Sequence, residues 1–224
     1  MCGRYRLKDP RQASLAFLPG TVPELAAPRW NVAPTQSMPV IRSQDHRPCL
    51  VSMRWGLVPF YERRKEKPLV LINARAETAL AKPAFRQSVA SRRCAILADG
   101  FYEWRRNDSQ TKQPYFIGLR GDVPFAFAGI FEEEDPGGPG GFCILTTTPN
   151  ALVCQIHDRM PVILNPATAA RWVEGGSIGE ADFAVLARPY PAAEMAAWPV
   201  SPLVNSPRND LAECSVPVAS FPSE

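Results

Sequence analysis

Short apolar runs bounded by Gly, Pro, Asp and Ser punctuate the chain: MPVIR (38–42), CLVSMRW (49–55), LVLIN (69–73), RCAILA (93–98), FYEWR (101–105), PYFIGL (114–119), FAFAGIF (125–131), FCILTT (142–147) and PVIL (161–164). Their length and their β-branched and aromatic content predict strands. Helical patterns are fewer, at PRQASLAFL (10–18), PNALVCQI (149–156), PATAARWV (166–173), EADFAVLA (180–187) and PAAEMAAW (191–198). Pro near the start suits several of them, because a first turn leaves its N–H groups unbonded in any case. Many short strands with helices interspersed, and no regular βαβ rhythm, predict an α+β fold: a mixed, barrel-like sheet flanked by short helices. There is no internal repeat, and 224 residues suffice for one core, so a single domain over 1–224 is expected. EEEDPGGPGG (132–141) reads as an exposed, flexible acidic loop with no function of its own. The tail after Cys214 reads as one edge strand with a frayed end over 220–224.

Composition narrows the class. No stretch approaches the roughly 18 consecutive apolar residues of a membrane span, and the start, MCGRYRLKDPRQ, has no apolar segment of the signal-peptide kind. A soluble, cytoplasmic protein without membrane contact is expected. The six cysteines (2, 49, 94, 143, 154, 214) form no C-x-x-C pair, which fits reduced, mostly buried thiols. Cys154 and His157 make one C-x-x-H half-site without a second, so neither a metal nor another cofactor is expected. Charge changes the picture more. Residues 1–112 hold 20 Lys and Arg against 9 Asp and Glu, a net +11, whereas the remainder holds 5 against 13, a net −8. Such segregation points the basic half toward an anionic partner, nucleic acid above all, and 20 of the 25 basic residues are Arg, whose planar fork suits phosphate.

Candidate chemistry begins at Cys2. Methionine aminopeptidases remove an initiator Met before so small a residue, which would leave a free α-amine and a thiol on adjacent carbons. Such a pair attacks an aldehyde twice: the amine gives an imine, then the thiol closes a five-membered thiazolidine. An α-amine with pKa about 7.7–8.0 is roughly one-tenth unprotonated at pH 7, hundreds of times more than an exposed Lys. The plain alternative is a Cys at position 2 by accident. Glu103, in DGFYEW, shares a strand face with Phe101 and Arg105, opposite Tyr102 and Trp104. A carboxylate among aromatics is either salt-bridged, most simply with an Arg, or kept with a raised pKa for proton transfer. His157, in IHDRMP, falls on a connecting loop; it is a better proton shuttle than His46, which lies in the polar turn SQDHRP, and a structural role stays open for it. Asn73 and Arg75, in NARAET, follow an apolar run and either line a site or, with Glu77 and Thr78, cap the turn into a short helix. In WGLVPFYERRKEKP (55–68), Phe60 and Tyr61 adjoin Arg63, Arg64, Lys65 and Lys67, a stacking surface beside cations that suits single-stranded nucleic acid.

Taken together, MCGRY, NVAPTQ (31–36), RWGLVP (54–59), INARAET (72–78), ADGFYEW (98–104), IHDRMP (156–161) and VSPLVNSPRND (200–210) resemble the SRAP family, the SOS-response-associated peptidase-like proteins that shield abasic sites in DNA. The resemblance runs nearly end to end, with the motifs in family order. It implies one SRAP domain, associated with cytoplasmic or nucleoid DNA, that binds single-stranded DNA and joins Cys2 to the ring-opened aldehyde of an abasic deoxyribose. It places the nucleophile on Cys2 and the other active-site residues on Asn73, Glu103 and His157. It further implies phosphate contacts at Arg4, Arg75 and Arg159, and base-wedging or stacking at Pro34, Phe60 and Tyr61, where relatives carry tryptophans at the last pair. Two other classes stay open: a peptidase or amidohydrolase in which Cys2 releases Met1 and then acts as nucleophile, and a noncovalent nucleic-acid-binding module. An associated β-lyase activity is also left open. A monomer is expected, as no apolar interface segment stands out.

Overall fold

A computed structural model describes residues 2–20, 27–106, 112–134, 138–174 and 176–218. Its strands are β1 (Tyr5–Leu7), β2 (Arg29–Val32), β3 (Ser37–Gln44), β4 (Arg47–Trp55), β5 (Asn73–Arg75), β6 (Arg93–Ala98), β7 (Gly100–Arg106), β8 (Lys112–Leu119), β9 (Phe125–Glu134), β10 (Gly138–Thr147), β11 (Met160–Pro161), β12 (Ile163–Leu164) and β13 (Met195–Pro199). The helices are α1 (Pro10–Phe17), α2 (Ala76–Ala79), α3 (Arg86–Ser91), α4 (Pro166–Val173) and α5 (Glu180–Leu186). The α+β class holds, and the barrel-like sheet is real: β10, β4, β3, β6 and β9 pair in that order, and β9 pairs back to β10 to close a ring. Closure is narrow at β4, where only Arg54 and Trp55 pair with β10, and residues 47–53 pair with β3 alone among the described residues. A second, antiparallel sheet runs β13-β8-β7-β1-β2.

Aromatic packing joins the two sheets. Tyr5 of β1 lies 5.3 Å from the Trp55 ring and 5.5 Å, edge-on, from Phe127, both on the ring of strands. All three are fully buried, and such pairs add about 0.5–1.5 kcal/mol beyond the area they bury. Local chemistry places the elements as the sequence implies. The Asp45–His46 turn has both φ values positive, at 50° and 60°, the geometry of a tight hairpin between β3 and β4. Asn165 and Thr168 form a capping box ahead of α4, with Pro166 in the first turn. At the parallel crossing of β10 and β4, Gly141 faces the Gly56 carbonyl so closely that no Cβ fits.

Several expectations fail for physical reasons. The predicted helix at 149–156 is only a 3-10 turn, Val153–Gln155, although the Asn150 side chain accepts from the N–H groups of Leu152 and Val153 as a cap would. The predicted helix at 191–198 becomes strand β13, whose edge pairing with β8 sets Trp198 opposite Phe116 and overrides alanine propensity. LVLIN is not one strand: Leu69 and Val70 are exposed, Leu71 makes a single bridge to Leu57, and β5 starts at Asn73. The acidic stretch 132–141 is strand at both ends, with 135–137 outside the described residues. Glu132 is buried there, accepting from Ser88 at 2.5 Å, Arg92 at 2.5 Å and Arg63 at 3.0 Å. Of the tail, Val200 bridges Pro217, and 220–224 lie outside the described residues.

Candidate active site

Register brings the start of the chain to Glu103. Tyr5 pairs with Phe101, and the Tyr102 N–H donates to the Arg4 carbonyl at 3.0 Å, so continuing the same antiparallel register sets positions 2–3 alongside 103–104. On the other side, β5 pairs in parallel with β10, Asn73 opposite Ile144. The Asn73 Nδ2 donates to the Cys2 carbonyl at 2.9 Å. Its Oδ1 is buried and accepts no hydrogen bond among the described residues, which for an amide oxygen leaves a directed acceptor in hand. His157 follows the 3-10 turn, its Nε2 3.8 Å from Glu103 Oε2. Positions 2, 73, 103 and 157, scattered along the chain, therefore converge.

Burial tunes these groups. The Cys2 thiol is fully buried and its pKa is pushed well above the ordinary range by desolvation, with the Glu103 charge adding to the effect. The Glu103 carboxyl, 3% exposed, is raised by burial, with the amino-terminal charge and His157 pulling the other way. On His157, the Arg159 backbone N–H donates to Nδ1 at 3.0 Å, which requires a lone pair on Nδ1 and leaves the ring proton on Nε2, toward Glu103. Asp158 Oδ1 also lies 2.9 Å from Nδ1 and would need a proton there; its side chain is 87% exposed and free to turn away, so the chain-fixed amide decides the tautomer. Glu103 and His157 of this group also line a cleft of about 420 Å³, with Trp104, Arg106, Lys112 and Asn205.

A family model described as SOS response associated peptidase (SRAP) matches residues 1–207. The chain belongs to the SRAP family. Among its relatives, the abasic site processing protein YoaM of Bacillus subtilis is 44% identical over 83% of this chain and 83% of its own length. The abasic site processing protein YedK of Escherichia coli is 32% identical over 97% of this chain and 100% of its own. A solved structure of a Bacteroides thetaiotaomicron protein superposes with a TM-score of 0.82, at 26% identity, over 97% of this chain and 100% of that one.

Not every residue that the SRAP resemblance assigns to DNA stands free. Phe60 and Tyr61 are 57% and 45% exposed, their rings edge-to-face at 5.3 Å, and Arg75 is exposed. Pro34 is half-buried, ahead of Thr35, which holds φ +76° with its N–H on the Trp55 carbonyl. Arg4 is engaged within the protein, donating to the carbonyls of Val204 at 2.8 Å and Asn205 at 3.3 Å and to Asn31 Oδ1 at 3.2 Å. Arg159 grips both oxygens of Glu77. In the basic run, Arg63 binds Glu132 and Lys65 binds Glu62.

Sequence reasoning missed the strap that seats β1 and β2. Buried Asn31 donates to the carbonyls of Val204, Ser206 and Asn209, while Asp210 accepts from the N–H groups of Trp30 and Asn31 and from Arg29 Nε. Both ends lie inside SRAP motifs, NVAPTQ and VSPLVNSPRND, so the signal was present. Trp104, whose Nε1 donates to Asn205 Oδ1 at 2.7 Å, was likewise read only for its strand face.

Proposed function

We propose that this protein senses abasic sites in single-stranded DNA and shields them by forming a thiazolidine between Cys2, freed of Met1, and the ring-opened deoxyribose aldehyde. The relatives in its family named for abasic site processing support the substrate. The observation that carries the chemistry is the seating of Cys2. Its carbonyl is held by Asn73, whose other polar atom is a buried acceptor still to be used, beside a carboxyl of raised pKa and a histidine presenting an N–H. In this reading Asn73 orients the α-amine. The amine adds to the aldehyde carbon and loses water to give the imine; the thiol sulfur then adds to the same carbon while its proton passes by way of Glu103 to the imine nitrogen. His157 Nε2–H protonates the sugar ring oxygen as the ring opens. One water leaves in all. Burial raises the Cys2 thiol, which fits an order in which the amine adds first and the thiol closes the ring second.

The test mixes the purified protein with a single-stranded oligonucleotide carrying one abasic site. The expected product is a band that survives heat and detergent without borohydride, with the mass of both partners less Met1 and one water. Protein confirmed to lack Met1 that yields no adduct overturns the proposal. Noncovalent affinity for the same oligonucleotide is expected to fall with salt at a logarithmic slope near −0.7 for each phosphate neutralised, about −2 for three such contacts. A flat response in a salt titration by fluorescence anisotropy would remove single-stranded DNA as the partner.

A further inference from the structure

The Arg159–Glu77 pair lies outside the four converging residues, but the backbone N–H of Arg159 contacts one of them, His157. Both Arg159 Nη atoms reach Glu77, at 2.7 and 2.8 Å, and Nη2 also donates to the Thr146 carbonyl at 2.7 Å. The Arg159 side chain is only 13% exposed, so this is a two-pronged, partly buried pair rather than a loose surface contact. Its position is specific. Thr146 of β10 pairs with Arg75 of β5 on one side and with Pro161 of β11 on the other. Glu77 stands in the first turn of α2, directly after β5, and Arg159 directly before β11. The pair thus spans β10 and ties the segment carrying Asn73 to the loop carrying His157.

Among the described residues two groups compete for Nδ1 of His157: the Arg159 N–H, which leaves the proton on Nε2, and the Asp158 carboxylate, which would draw it to Nδ1. In the second state Nε2 would turn a lone pair toward Glu103, with no proton to give. We propose that Glu77 is a positioning residue: by anchoring the Arg159 side chain it holds the Arg159 amide on Nδ1 and so keeps His157 as the Nε2–H tautomer. The inference rests on the proposed use of His157 as a proton donor, but its primary readout does not depend on reaction.

The experiment records two-bond ¹H–¹⁵N spectra of protein labelled at histidine, above the pH at which the rings titrate. The chain has only two histidines, and His46, in the turn between β3 and β4, serves as internal reference. Wild type is expected to show a protonated Nε2 and a bare Nδ1 for His157. Glu77→Ala is expected to populate Nδ1–H and to slow adduct formation about tenfold, as loss of a supporting contact does. Glu77→Gln, which keeps one acceptor for Arg159, should fall between and serves if the alanine variant does not fold. Removing Asp158 as well, in Glu77→Ala/Asp158→Ala, should restore Nε2–H. An unchanged tautomer in folded Glu77→Ala or Glu77→Gln overturns the inference, as does a wild type already carrying Nδ1–H. A wild type with the expected tautomer and no adduct sinks the proposed function instead.

Discussion

Cys2→Ala is expected to give no adduct that survives heating, while keeping a weaker imine that only borohydride can trap. The α-amine persists in this variant, so the first addition remains possible. An imine, however, returns to amine and aldehyde as readily as it forms, and only attack by the adjacent sulfur converts it to a ring. The loss should therefore be all or none in a denaturing gel, and partial where borohydride is present. Because Cys2 is fully buried against the core, the truncation also costs about 1–2 kcal/mol of stability, and a thermal melt must confirm that the variant is folded at the assay temperature. A heat-stable adduct from Cys2→Ala at wild-type yield would exclude the thiazolidine.

Glu103→Gln should separate two properties that usually move together. As a proton carrier in ring closure Glu103 is worth on the order of 10²–10³ in rate, so single-turnover adduct formation should slow by that factor. Stability should rise. The Glu103 pKa in the folded protein is raised by burial above its unfolded value of about 4.3. Between the two values the folded state holds a proton that the unfolded state has released, so stability from this group falls as pH climbs through the window and stays lost above it. Gln keeps the shape without a charge to bury. The variant's urea midpoint should exceed that of wild type at pH 7, and the advantage should vanish as the pH falls below about 4. For the same reason the wild-type rate should drop on acidification at a pH above the ordinary carboxylate range, a limb absent from the Gln variant. A Gln variant reacting at the wild-type rate would remove Glu103 from the chemistry.

Much of this was legible in the chain, and the failures share a cause. Strands flanked by turn chemistry were recoverable because alternation and β-branched content report burial directly; the lack of a βαβ rhythm excluded a regularly wound parallel sheet, whereas closure of the ring rests on the pairing of β9 with β10. PAAEMAAW misled because alanine content describes an isolated segment, whereas Met195–Pro199 answers to the open edge of β8. The acidic run misled likewise: charge suggests solvent, but Glu132 finds two arginines and a serine in three dimensions. At the site, scarcity helped, since with two histidines only one lay near other chemistry. Arg4 and Arg159 show the limit. The SRAP resemblance implies phosphate contacts for both, but only the fold reveals that carbonyls and a carboxylate already occupy their donors.

The strap across β1 and β2 has a consequence for the order in which this molecule comes to life. Arg4 is fastened by carbonyls two hundred residues further along, and Asn31 by the same stretch. On the ribosome Arg4 therefore waits for its fastener while the roughly two hundred residues between them are made. Until Val204 has emerged, Arg4 lacks the carbonyls that fasten it, and the segment that seats Cys2 is held only in part. A chain stalled before Val204 would display Cys2, the proposed nucleophile, without that fastening.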